Sequence, residues 1–184
     1  NFINIDTNLK KIFDKISIKS KKLVSDTFNK ALKISKDLKN RIILINGPIS
    51  KKAFLDKKYY GVTEYLAYKT KRKNEVMLIF NKKFSVSPVT THLPVKNIAK
   101  NITKDKIINN INKINEFYKK NLKIIPRIAV LGLNPHCETT ERFSEEDNII
   151  IPAINYLKKD QLNISGPFSA DTFFLKSNLR KYDV

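Results

Sequence analysis

The 184 residues predict an α/β fold built on a mixed sheet. Two short, continuous apolar runs, residues 41–46 and 127–133, have the length of strands buried on both faces, as in a parallel sheet. Around them, apolar residues recur at three- to four-residue spacing, the period of amphipathic helices. Between them, residues 75–80 and 84–91 read as two strands joined by a turn at Asn81-Lys82-Lys83. The order helix, strand, loop, hairpin, helix, strand, helix argues for α/β.

Each element has its local reason. Residues 1–18 alternate weakly and suggest a strand and a turn. From Ser20 the pattern is helical, with Leu23, Val24, Phe28, Ala31, Leu32 and Leu38 on one face. Gly47-Pro48 stops the first buried strand. Residues 48–74 read as loop and short helix, with a turn at Tyr59-Tyr60-Gly61 and a helix over 63–69. Thr103 is a good N-cap for the next helix, whose apolar face carries Ile107, Ile108, Ile111, Ile114, Phe117 and Tyr118. Pro126 closes the linker before the second buried strand, and Asn134-Pro135 stops that strand. Residues 145–158 form a helix with Ile149, Ile150, Ala153, Ile154 and Leu157 on one side. Ser165-Gly166-Pro167 reads as a turn, 171–180 as a short helix, and 180–184 as the start of another strand. No Ser/Gly linker, repeat or low-complexity segment divides the chain.

Composition excludes several classes. One Cys excludes an internal disulfide framework and a Cys-only zinc cluster. No apolar run approaches the ~20 residues of a membrane-spanning helix. The chain opens with neither a secretory nor an Arg-rich targeting pattern, so a cytoplasmic setting is expected, with no membrane partner. It begins with Asn1 and its one Met is Met77, so it reads as a fragment cut at both ends. Lys and Arg total 36 against 17 Asp and Glu, a formal net charge of +19. Such a balance raises a basic nucleic-acid-binding domain as one alternative. The charge is mostly Lys spread over the whole chain, beside many Asn and Ile whose codons are A/T-rich. No interleaved Arg and aromatic stripe accompanies it, so nucleic acid is not the expected partner.

Chemistry concentrates after the strands. Both histidines follow strand-like segments: His92 in Pro88-Val-Thr-Thr-His92, and His136 in Leu131-Gly-Leu-Asn-Pro-His136. Ligands of open α/β sheets bind at the carboxyl ends of strands, so two imidazoles there can converge on one metal ion. A catalytic metal needs about three protein ligands, so a third must be a carboxylate such as Asp171 or lie elsewhere. Cys137 adjoins His136, but adjacent side chains usually diverge, and no other nucleophile signature accompanies it. Glu145 and Glu146 read as first-turn charges opposing a helix dipole. Lys51, just after the first buried strand, suits a phosphate or carboxylate. Gly61-Val-Thr-Glu64 offers a hydroxyl and backbone N–H groups at a helix start. Neither standard glycine-rich nucleotide loop is present.

Five blocks carry a resemblance. They are Asn46-Gly-Pro-Ile-Ser-Lys51, Gly61-Val-Thr-Glu-Tyr-Leu-Ala67, Val89-Thr-Thr-His-Leu-Pro-Val95, Val130-Leu-Gly-Leu-Asn-Pro-His136 and Gly166-Pro-Phe-Ser-Ala-Asp-Thr172. In this order the sequence resembles the 4-hydroxythreonine-4-phosphate dehydrogenase family of pyridoxal phosphate (vitamin B6) biosynthesis. The resemblance implies that residues 1–184 are the middle portion of a single dehydrogenase chain. It implies a partial α/β/α fold like that of isocitrate and isopropylmalate dehydrogenases. It implies NAD as cofactor, a divalent metal (Zn, Mg, Mn or Co) held by three histidines, and a homodimer with the active site at the interface. The substrate implied is a small phosphorylated hydroxy-amino acid, oxidised and decarboxylated. Two metal ligands fall on His92 and His136; the third belongs to a block that would follow Val184. Thr63 matches half of a substrate-binding His-Thr pair, but Val62 stands where the family has His. The stretch after the fourth block also departs, as Cys137-Glu-Thr-Thr-Glu141. These departures keep dehydrogenases of erythronate or threonate 4-phosphate as an alternative. Lys51 and Asp171 are further substrate-binding candidates, Asp171 also as a partner of a metal-bound imidazole. The cofactor-binding residues and any catalytic residue are not assigned by the sequence.

Overall fold

The computed structural model describes residues 2–6, 15–37, 43–55, 58–59 and 61–184. It divides into two compact units, Asn1–Lys73 and Asn74–Val184, with no Gly- or Ser-rich linker marking the boundary.

In the first unit, helix α1 (Ile18–Asp37) keeps the expected apolar face, although Leu38 lies outside the described residues. Helix α2 (Lys51–Phe54) and helix α3 (Val62–Thr70) complete the unit. Its core is aromatic. Phe28 stacks on Phe54 at 5.6 Å between ring centroids, and Tyr65 meets Phe54 edge-on at 4.9 Å. Such offset and edge contacts contribute roughly 0.5–1.5 kcal/mol each beyond burial. Val62 packs against this cluster.

The strand expected at 41–46 does not form in its described part. Residues 43–46 carry no regular structure, and Ile43 and Ile45 are 84% and 87% exposed. A doubly buried strand exists only between neighbouring strands and under covering helices. None of the described residues pairs with this run. Arg41 and Ile42 lie outside the described residues, as do Tyr60 of the expected turn and residues 1 and 7–14 of the first expected strand.

The second unit holds the larger core. Helix α4 (Lys104–Phe117) starts where expected, with the Thr103 side chain accepting from Lys106 N at 3.3 Å. Ile107, Ile111, Ile114 and Tyr118 are buried as the spacing requires, whereas Phe117 stays 38% exposed. Strand β1 (Ile128–Leu131) follows. A π-helical turn (Glu146–Ile150) then leads into helix α5 (Ile151–Lys159), which buries Ala153, Ile154 and Leu157 in the core against α4 and the segment that begins at Ile164. Full burial of Ile154 and Leu157 stabilises the unit by roughly 1.5–3 kcal/mol each.

Strand β2 (Ile164–Phe168) occupies the stretch that the sequence reads as a turn. It pairs with β1 in parallel, Ile128 opposite Ile164 and Leu131 opposite Phe168, with an irregular register between. Gly166 explains the misreading. Its φ is +135°, and a Cβ there would lie 2.3 Å from the Val130 carbonyl oxygen. The glycine permits close approach of two backbones rather than chain reversal. On the other edge of β1, Ala129 N donates to Val184 O at 2.8 Å, and Ser85 N donates to Asp183 O at 2.8 Å. The residues expected to start a strand hydrogen-bond alongside β1, but they form no strand, and the sheet has two strands among the described residues.

The hairpin expected at 75–91 reduces to one antiparallel bridge, Ile79 with Val86. Pro88 removes a ladder donor, and bends begin at Val89. The helix expected over 171–180 contracts to α6 (Lys176–Leu179), because turns occupy 170–174 and Phe173 inserts into the core instead. Beside β1, a largely apolar cavity of about 340 Å³ reaches Val89, Ile111, Val130 and Phe173.

Candidate functional site

The carboxyl end of β1 feeds the turn Asn134-Pro135-His136-Cys137. Asn134 organises it. Its Oδ1 accepts from His136 N at 3.0 Å, its carbonyl accepts from Cys137 N at 3.0 Å, and its Nδ2 donates to Glu138 O at 2.8 Å. Cys137 thereby sits at φ 59°, in the left-handed region. The loop after β2 meets the same turn. Ala170 N and the Ser169 hydroxyl both donate to the Pro135 carbonyl, at 2.9 and 2.7 Å. The Ser169 hydroxyl also lies against Asp171 Oδ1, so its one proton is shared.

These contacts bring Asp171 to His136, with Oδ2 3.3 Å from Nδ1. Both side chains are exposed. The Asp171 carboxyl is held below its ordinary value chiefly by the Ser169 hydroxyl, against desolvation, with lesser help from His136 and Thr172. An imidazole held through Nδ1 presents Nε2 outward, the arrangement of a metal-binding histidine whose other nitrogen meets a carboxylate. In that respect His136 with Asp171 fits a divalent ion. The donor set is partial: among the described residues no three His, Cys, Asp or Glu side chains are gathered for one ion.

His92 is exposed and adopts φ 56°, a conformation that non-glycine residues take infrequently and that clusters at functional sites. It follows the segment that bridges at Val86, so both histidines stand beyond extended backbone of the second unit. The Cys137 thiol is pushed up, chiefly by burial, and further by Glu146, Asp171 and Glu138. A protonated thiol surrounded by carboxylates is a poor nucleophile.

The other two expected residues belong to the first unit. Lys51 opens α2 and is exposed; Thr63 is half-buried in the first turn of α3. Two participants escaped sequence reasoning. Ser169 sits inside the fifth block, but nothing in its type marks it as the link between two loops. Glu146 reads as a solvated first-turn charge, yet it is 3% exposed and accepts from Asn134 N at 2.8 Å.

The family model described as pyridoxal phosphate biosynthetic protein PdxA matches residues 1–184. The chain belongs to this family. A 4-hydroxythreonine-4-phosphate dehydrogenase of Sulfurihydrogenibium sp. is 42% identical over 145 residues, covering 77% of this chain and 44% of the relative. One from Pseudoalteromonas translucida is 31% identical over 184 residues, covering 97% of this chain and 52% of the relative. A crystal structure of a 4-hydroxythreonine-4-phosphate dehydrogenase from Burkholderia phymatum superposes with a TM-score of 0.70 at 27% identity, over 92% of this chain and 52% of that one. The chain therefore shares the α/β fold of the family and spans about half the length of the curated relatives it matches.

Proposed function

We propose that the chain contributes to a 4-hydroxythreonine-4-phosphate dehydrogenase that oxidises and decarboxylates a phosphorylated hydroxy-amino acid in pyridoxal phosphate biosynthesis. The observation that carries this reading is the His136–Asp171 pair inside two of the five family blocks, within a family match spanning residues 1–184. In this reading His92 and His136 hold a divalent ion through neutral imidazoles. When bound, the metal stabilises negative charge on the substrate oxygen and NAD accepts the hydride. Asp171 keeps the His136 Nδ1 proton in place and so leaves Nε2 as the donor atom. Thr63, Lys51 and Asp171 are the substrate-binding candidates, with Lys51 suited to an anionic group. Further ligands, the NAD site and a homodimeric interface belong to the whole protein. The reading includes cytoplasmic placement; among the described residues no helix is long and apolar enough to cross a membrane.

A second substrate has specific support. Val62 packs into the aromatic core of the first unit and has no hydrogen-bonding atom. The Val62 side chain cannot make a hydrogen bond where the family has His, so substrate recognition there differs, which keeps erythronate or threonate 4-phosphate as the second reading. The test is NADH formation by the whole gene product with each of the three substrates, with and without divalent metal. The proposal expects metal-dependent turnover of 4-hydroxythreonine 4-phosphate, abolished by His92→Ala. Turnover of a sugar-acid phosphate alone selects the second substrate. Failure on all three with metal present refutes the dehydrogenase reading.

A further inference from the structure

We propose that Glu146 is a positioning residue for His136. The inference rests on the reading of His136 as a metal ligand. Its starting point is a carboxylate only 3% exposed, whose hydrogen bond runs to Asn134 N at 2.8 Å. A buried carboxylate is costly unless its lone pairs are used. A first-turn acid that merely opposes a helix dipole stays in water; Glu146 instead points out of its own helix into the β1 turn.

The fit beneath that turn is tight. A Cβ added at Gly132 would lie 3.0 Å from Glu146 Oε1 and 2.4 Å from Cys137 Sγ. Gly132 thus leaves the space that the carboxylate and the thiol occupy. The rest of the turn is held by itself or by the β2 loop: His136 N and Cys137 N by Asn134, and Pro135 O by Ser169 and Ala170. Glu146 supplies the tie to α5. Ile150, one turn further on, is 3% exposed in the main core, and Ala153 and Ile154 beyond it are fully buried. The imidazole is therefore braced between the Asn134 turn, which Glu146 ties down, and the Asp171 carboxylate on its ring. The function needs an acceptor of this length more than it needs a charge.

The experiment uses the metal-free whole gene product labelled with 15N at histidine. The His136 ring nitrogens are read by long-range NMR correlation, and Zn2+ affinity is then measured by calorimetry. The wild type is expected in the Nδ1–H tautomer. Glu146→Ala and the one-methylene-shorter Glu146→Asp are expected to move the ring toward the tautomer mixture of free imidazole. Both should weaken Zn2+ binding about 10- to 100-fold, the range for lost partners of metal ligands. Glu146→Gln, which keeps the acceptor, is expected to restore both readouts. Ile150→Val is expected to lower the melting temperature without moving the ring. Unchanged His136 shifts in both shortened variants overturn the proposal. An equal displacement in Ile150→Val also overturns it, since that reveals general loosening of the helix. The metal reading fails separately, if His136→Ala leaves Zn2+ affinity unchanged; the ring tautomer still judges Glu146.

Discussion

Replacing Ser85 with Ala tests how the second unit is held together behind the candidate site. Ser85 is completely buried, and its hydroxyl is saturated. It accepts from Tyr118 Oη at 2.9 Å and from Asn81 N at 3.1 Å, and it donates to Asn81 O at 3.1 Å. Each such bond contributes about 1 kcal/mol net. Removal does not cost the full sum. Asn81 is exposed and regains water, while Tyr118 Oη keeps the Asp183 carbonyl at 3.3 Å. Ser85→Ala should therefore destabilise the unit by about 2 kcal/mol. Tyr118→Phe removes the bond shared with Ser85, together with the longer one to the Asp183 carbonyl, and should cost about 1 kcal/mol. Because the two changes share that bond, the double variant should cost about 2 rather than 3 kcal/mol, a coupling of about 1 kcal/mol. Urea unfolding followed by amide signals of residues 74–184 measures all four proteins. Additive losses, or a Ser85→Ala effect indistinguishable from zero, would refute the network and with it the role of Ser85 in joining the bridge at Val86 to α4.

Other perturbations follow from named contacts. Asp183 accepts from Arg127 N at 2.8 Å and from its guanidinium at 3.0 and 3.1 Å, which holds its carboxyl below the ordinary value against desolvation. A depressed folded value means that the pair stabilises fully above the unfolded value of about 3.9 and that this contribution fades as pH falls through the folded value. Asp183→Asn should thus cost about 1 kcal/mol at pH 7, after allowance for solvent around the half-exposed Arg127, and almost nothing in strong acid; urea melts across pH 2–7, as a rough range below and above the carboxylate values, check it. Gly166→Ala should cost at least about 2–3 kcal/mol, from positive φ and the clash with Val130 O, seen as a lowered melting temperature. Asp171→Asn should weaken Zn2+ binding about 10- to 100-fold by calorimetry while leaving the fold intact, because Asp171 is exposed.

The sequence displayed most clearly those elements whose stability is local or one-sided. The face of α4 is legible because Ile107, Ile111, Ile114 and Tyr118 need one buried side, and Thr103 caps the helix with its own side chain. β1 is legible as a continuous apolar run. Residues 43–46 look the same in sequence, yet Ile43 and Ile45 are exposed, because a sheet interior is defined by neighbours that the run does not encode. β2 was hidden because Gly166-Pro167 signals a turn unless Val130 is known to lie against it. In the site, His92 and His136 stood out by rarity and by their position after extended segments, and Asp171 by its block. The roles of Ser169 and Glu146 depend on contacts made across 34 and 12 residues, which no local pattern carries.

The most direct test of the account is calorimetric titration of Zn2+ into the whole gene product, compared with His92→Ala and His136→Ala. The account predicts one saturable site per chain, lost or severely weakened in each variant, with Asp171→Asn between them and the wild type. Binding that is absent from the wild type, or that survives both histidine replacements unchanged, would contradict it.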